Sequence, residues 1–221
     1  ISADYSGVVA DVKAAFAGIT TQTGKITLTD TSVSVADINI VAPVTSGVLT
    51  ATSSDTDIGT LIGLSTSNAD KITTTVGTTS VSAADLTTLY GKTGVAVNAS
   101  SVTTISGTAA SVQTVYSAGP TEITGLGNES ISITDTGTLA SSVITTLDAA
   151  NGTGVVTLSG NGSLDLTTTA GQNLDLSGVT NSVSGTLTIN DNSGNETISG
   201  TNGNETINLT KIGRASCRER V

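Results

Sequence analysis

The residues best equipped for chemistry in this chain are carboxylates and hydroxyls. Asp135, Asp148, Asp165 and Asp175 offer the acid and base pairs that glycoside hydrolysis needs. They fall at outward, repeat-equivalent places with no aromatic sugar platform nearby in sequence, so a solvated acidic face accounts for them more simply. Thr-x-Thr pairs stand at Thr27/Thr29, Thr73/Thr75 and Thr186/Thr188. Ordered threonine ladders can bind ice, but high strand propensity explains the same pairs. Near the C-terminal end a third pattern appears in DNSGNETISGTNGNETINL. Gly194 and Gly203, Asn195 and Asn204, Glu196 and Glu205, and Ile198 and Ile207 are each nine residues apart.

That nonapeptide resembles the repeat of RTX (hemolysin-type calcium-binding) proteins, G-G-x-G-x-D-x-U-x. Gly200 and Gly203 match the first and third glycines and Ile207 matches the apolar U; Gly194 and Ile198 match one repeat earlier. The resemblance implies a parallel β-roll whose turns bind Ca2+ through hard oxygen ligands. It assigns Asp191, Gly194, Glu196, Gly200, Gly203 and Glu205 as the metal-binding positions. Glu196 and Glu205 stand where the family has Asp, which moves the carboxylate by one methylene. Thr201 replaces a glycine, and a β-branched residue resists positive φ.

Composition narrows the function classes. The 221 residues hold no His, Met or Trp, only 2% aromatics and 12% charged residues. Without His the commonest general base and transition-metal ligand are missing. So few rings leave no stacking platform for single-stranded nucleic acid, and a net charge of -10 repels phosphate. No apolar run reaches the length of a membrane span, so no membrane insertion is expected. The expectation is a chain that is not an enzyme.

Residues 211–221, KIGRASCRERV, hold Lys211, Arg214, Arg218 and Arg220, half of the eight basic residues, and the single cysteine, Cys217. From Ile212 the string is similar to one reading frame of a common sequencing adapter. We read 211–221 as a non-native tail, and the native part as an internal fragment without cysteine.

The elements that must position these residues repeat. SVSVADINIV from Ser32, SVSAADLTTL from Ser80 and TLASSVITTL from Thr138 align. The alignment matches Val33 with Val81 and Leu139, Ile38 with Leu86 and Ile144, and Val41 with Leu89 and Leu147. Val81, Ala84, Leu86 and Leu89 predict a helix after a capping Ser. Strands precede each segment, in KITLTD, KITTTV and SISITD. A second set of short helices lies between, where Val12 matches Ile58 and Val112, and Phe16 matches Ile62 and Tyr116. Such short helices need neighbours to cover their apolar side.

The sequence therefore predicts a repeat solenoid over residues 1–153, in half-units of about 25 residues. It is an α/β solenoid or right-handed β-helix, with parallel strands and short helices at the corners. It passes over residues 154–210 into an all-β roll in which Asp165 and Asp175 take matching outward places. The wider repeat resembles long bacterial secreted proteins of the adhesin and S-layer-like kind. That resemblance implies an extracellular or cell-surface structural or adhesive segment, with calcium, surface polysaccharide or other cell-surface components as partners. The alternative reading is a polysaccharide-active β-helix enzyme; ice binding is a minor one.

Overall fold

A computed structural model describes residues 2–19, 22–168, 173–191 and 197–208. The chain is α/β, with short helices and several parallel sheets. In order it forms β1 (Tyr5–Gly7), α1 (Val9–Ala15), β2 (Ile26–Leu28), α2 (Val35–Val41), β3 (Leu49–Thr52), α3 (Ile58–Leu61), β4 (Lys71–Thr73), β5 (Ser80–Ser82), α4 (Ala83–Tyr90) and β6 (Val97–Asn98). There follow β7 (Thr104–Gly107), α5 (Ala109–Glu122), β8 (Ile123–Thr124), β9 (Ser130–Ile133), β10 (Gly137–Ala140) and α6 (Ser141–Ala150). The rest is strand: β11 (Val156–Leu158), β12 (Leu164–Thr167), β13 (Leu174–Asp175), β14 (Val179–Asn181), β15 (Leu187–Asn190), β16 (Ile198–Ser199) and β17 (Glu205–Asn208). Among the described residues no helix is long and apolar enough to cross a membrane.

The chain divides into two compact units. One holds residues 1–102 and 118–126; the other holds 103–117 and 127 onward. In the first unit β1, β2, β3 and β4 pair in that order, all parallel. Tyr5 lies opposite Ile26, Ile26 opposite Leu49, and Ala51 opposite Ile72. Ile26, Leu49, Ala51 and Ile72 are buried, so the inward places form an aliphatic column. The helices add their own apolar side: Val35, Ile38 and Val41 of α2, and Ala83, Leu86 and Leu89 of α4, are buried. Burying each such Leu or Ile contributes about 1.5–3 kcal/mol.

The second unit repeats the arrangement. Ile105, Ile131, Val156 and Val179 lie opposite one another along β7, β9, β11 and β14. A second sheet runs β10-β12-β15-β17. Its register columns are Gly137, Leu164, Leu187, Glu205 and Leu139, Leu166, Ile189, Ile207, of which Leu164, Leu166, Leu187 and Ile189 are buried. The spacing contracts along this sheet, because Gly137 meets Leu164 but Leu187 meets Glu205, 18 positions on. No helix follows α6 among the described residues.

Ile38, Leu86 and Ile144 are each fully buried, as are Val41, Leu89 and Leu147 to within 1% exposure. Three details differ from the sequence reading. Val81 belongs to β5, not to the helix; Ser82 caps α4, and Ala83 faces inward while Ala84 is exposed. Leu139, matched to Val33 and Val81, is only half-buried on β10. Asp165 and Asp175 do not share a column. Asp165 lies on β12 between Thr138 and Thr188, whereas Asp175 lies on β13 opposite Ser199. Successive strands here step through three sheets, β11 pairing with β14, β12 with β15 and β13 with β16, so three of them make one repeat.

Candidate functional site

Three carboxylates of the helix-bearing repeats, Asp30, Asp55 and Asp135, share one task. A helix leaves its first backbone N–H groups without acceptors, and the aligned peptide dipoles favour negative charge there. In α2 the Ser34 hydroxyl accepts from Asp37 N at 3.1 Å, which satisfies one donor. The first N–H of the helix, that of Val35, is satisfied from elsewhere. It donates to Asp55 Oδ2 at 2.7 Å, across 20 residues.

The same bond recurs. Val9 N of α1 donates to Asp30 Oδ2 at 2.7 Å, across 21 residues. Ile58 N of α3 donates to the Thr78 hydroxyl at 3.0 Å, across 20 residues. Ala109 N of α5 donates to Asp135 Oδ2 at 2.6 Å, across 26 residues. Each acceptor lies in the next repeat. Asp30 and Asp135 directly follow β2 and β9, within one or two residues of the strand end. Other side chains tie repeats through loop backbone. Asp70 Oδ1 accepts from Leu49 N at 2.8 Å, and the Thr93 hydroxyl both accepts from Ile72 N and donates to Ile72 O.

These ties were not read from the sequence. The signal was present as an acid or hydroxyl just after each strand in KITLTD, SSDTD, GTTS and SISITD. Each residue is ordinary by itself, and the bond becomes visible only when adjacent repeats are placed in register.

The four acids considered for glycoside hydrolysis are spread out. Asp135 is bonded to Ala109 N. Asp175 Oδ1 accepts from Ser177 N at 3.0 Å, and that backbone donor, aided by the Ser177 hydroxyl, holds the carboxyl below its ordinary value. Asp148 lies beside Gly178, and Asp165 is half-buried on β12. In the first unit Asp37 pairs with Lys13; that contact and the Ser34 hydroxyl lower its carboxyl.

The nonapeptide positions separate as follows. Gly194 and Glu196 lie outside the described residues. Asp191 is buried directly after β15, and its N–H donates to Asn208 O at 2.9 Å. Gly203 packs against Asn181. Gly200 and Glu205 are brought together: a Cβ at Gly200 would collide with Glu205 Oε1. The Glu205 carboxylate folds back over this glycine. Its Oε1 accepts from Thr201 N at 3.0 Å and its Oε2 from the Thr201 hydroxyl at 2.7 Å. The Thr that departs from the glycine pattern thus supplies two donors to the Glu that departs from the Asp pattern. Among the described residues no three His, Cys, Asp or Glu side chains gather closely enough to share an ion.

A buried polar trio lies in the second unit. Tyr116 Oη stands 2.8 Å from Glu129 Oε2 and 2.7 Å from Asn151 Oδ1. Asn151 Nδ2 donates to Glu129 O at 2.6 Å. Burial, and then the Glu129 carboxylate, push the Tyr116 phenol well above its ordinary value. The repeat alignment matches Tyr116 with Phe16. Phe16 meets Tyr5 edge to face with centroids 5.2 Å apart, whereas Tyr116 uses its hydroxyl.

No protein-family model, no curated protein and no solved structure matches this chain.

Proposed function

We propose that this chain is a structural or adhesive repeat segment of a large exported bacterial surface protein, built as a solenoid and stabilised by Ca2+ at Asp191, Gly194, Glu196, Gly200, Gly203 and Glu205. The observation that carries the scaffold reading is where the acids go. Asp30, Asp55 and Asp135 each bond a helix N-terminus in the preceding repeat. Carboxylates used this way tie repeats together and are not gathered for catalysis. In-register parallel pairing along both units supports stacked repeats, each covering the apolar side of the next. A surface segment of this kind meets polysaccharide or other cell-surface components along its polar strands. For calcium, the 18-residue step from Leu187 to Glu205 equals two nonapeptides, the span of one roll turn.

Melting of residues 1–210 with millimolar Ca2+ and with chelator tests the metal. A midpoint several degrees higher with Ca2+ is expected; equal midpoints would remove calcium from the reading. Small-angle scattering tests the scaffold. A particle clearly longer than a sphere of its mass is expected, and a spherical one would overturn the solenoid.

A further inference from the structure

The chain passes between its two compact units more than once. Residues 103–117 belong to the second unit, 118–126 to the first, and the chain returns to the second at Gly127. Helix α5 runs over the first of these crossings. Gly119 takes φ 61° and ψ −173° there and Pro120 follows it, so the regular helix stops. Gly adopts this positive φ without steric cost, and Pro has no N–H with which to continue the ladder.

The two feet of the 118–126 excursion are Tyr116 and Gly127, and one carboxylate holds both. Tyr116 Oη bonds Glu129 Oε2 at 2.8 Å. Gly127 N donates to the same group, at 2.8 Å to Oε2 and 3.1 Å to Oε1. Asn151, at the C-terminal end of α6, closes the set from the side: its Nδ2 donates to Glu129 O, and its Oδ1 offers the single Tyr116 proton an alternative acceptor to the carboxylate. Glu129 is 4% exposed and Asn151 0%. The described residues of the second unit contain no Lys or Arg, so this buried acid is satisfied by hydroxyl and backbone donors alone. Within the excursion β8 lies parallel to β6, and Thr124 O accepts from Ala99 N at 2.8 Å.

We propose that Tyr116, Glu129 and Asn151 form a clasp that closes the two feet of residues 118–126, so that this segment opens and shuts as one piece while β9 and β11 stay formed. A purely packing role for Tyr116 needs only its ring, which Phe supplies equally well. The clasp needs the hydroxyl, because that group joins the foot at residue 116 to the carboxylate that also holds residue 127. Removing a buried bond to a charged group shifts a local opening equilibrium by about tenfold or more.

Hydrogen exchange on the full chain, read by mass spectrometry, tests the clasp. Tyr116→Phe should speed exchange about tenfold for the amides of 121–127 and for Ala99, whose acceptor is in the excursion. The Ile131 and Ser159 amides, bonded to Val155 O and Ile133 O, should keep their rates. Glu129→Gln, which retains an acceptor oxygen, should fall between wild type and Tyr116→Phe. Equal acceleration throughout the second unit, or none, would overturn the proposal. Should Tyr116→Phe not fold, wild-type exchange in low denaturant decides. A shared opening of 121–127 below the unfolding of β9 and β11 supports the clasp. Exchange of 121–127 only by global unfolding rejects it.

Discussion

The helix-bearing repeats and the strand-only stretch from Val156 onward are held together by different chemistry. In the former, Asp30, Asp55 and Asp135 reach into the preceding repeat and bind the first N–H of a helix. In the latter, several bonds between repeats are neutral. Asn181 Nδ2 donates to Asn204 O, Asn173 Oδ1 accepts from Thr197 N, Ser163 Oγ accepts from Thr186 N, and Asn208 Nδ2 donates to Asn190 Oδ1. Two acids there bond locally, Asp175 to Ser177 and Glu205 to Thr201. A helix end concentrates unsatisfied donors in a field that favours an anion. A strand uses its donors in the ladder and leaves only turns to satisfy, for which an amide suffices. Charge is placed where the backbone asks for it.

The largest effects should not distinguish the two regions. Ile38→Ala in the helical repeats and Ile189→Ala in the strand-only stretch both empty a fully buried site. Each should cost about 2–5 kcal/mol in urea unfolding. A loss under 1 kcal/mol at Ile189 alone would show the later repeats to be loosely packed, and the comparison would then rest on packing instead of polarity.

The polar ties should separate them. Asp55→Ala removes an anionic acceptor from the α2 N-terminus and should cost about 1–2 kcal/mol. Asn181→Ala removes an exposed neutral bond and should cost about 0.5–1 kcal/mol. Equal losses would break the distinction. A smaller difference sharpens it: Asp55→Asn keeps an oxygen but loses the charge, so it should forfeit about 0.3–1 kcal/mol at low salt and less as salt screens the field. A loss that ignores ionic strength would mean that shape, not charge, matters at this site.

The smallest effect lies on the acid limb. The Ser177 N–H lowers the Asp175 carboxyl in the folded chain. The stabilisation is therefore complete above the ordinary Asp value of about 3.9 and is lost as pH falls through the lower folded value. Asp175→Asn should flatten stability slightly below about pH 4, measured by thermal melts across pH. An unchanged acid limb would show that this bond is absent in solution.

Much of the fold could be read in the sequence because the aliphatic positions recur in phase. Aligning Ile38 with Leu86 and Ile144 needed only their spacing, and all three are fully buried. Boundaries were harder. A Ser-Val-Ser run precedes both α2 and α4, and period alone could not place Val81 on a strand and Ala83 on the helix. The ten-residue rhythm of Asp165 and Asp175 misled because three strands make one repeat, so equivalent places are separated by the distance from Leu164 to Leu187. The acids that tie repeats were hidden for a related reason. Their partners lie 20–26 residues upstream and are backbone groups, which carry no letter in the sequence.

The capping of α1, α2, α3 and α5 from the following repeat has a consequence for how such a protein changes length. Excising residues 30–54 would bring Asp55 to the place of Asp30, beside Val9 N, and leave Thr78 on Ile58 N. The seams at α1 and α3 would each still hold one donor and one acceptor. Losing a few residues inside a loop would instead strand a donor on one side and misplace the acid on the other. Growth and shrinkage by duplication are thereby confined to whole modules, with partial insertions penalised at two seams at once.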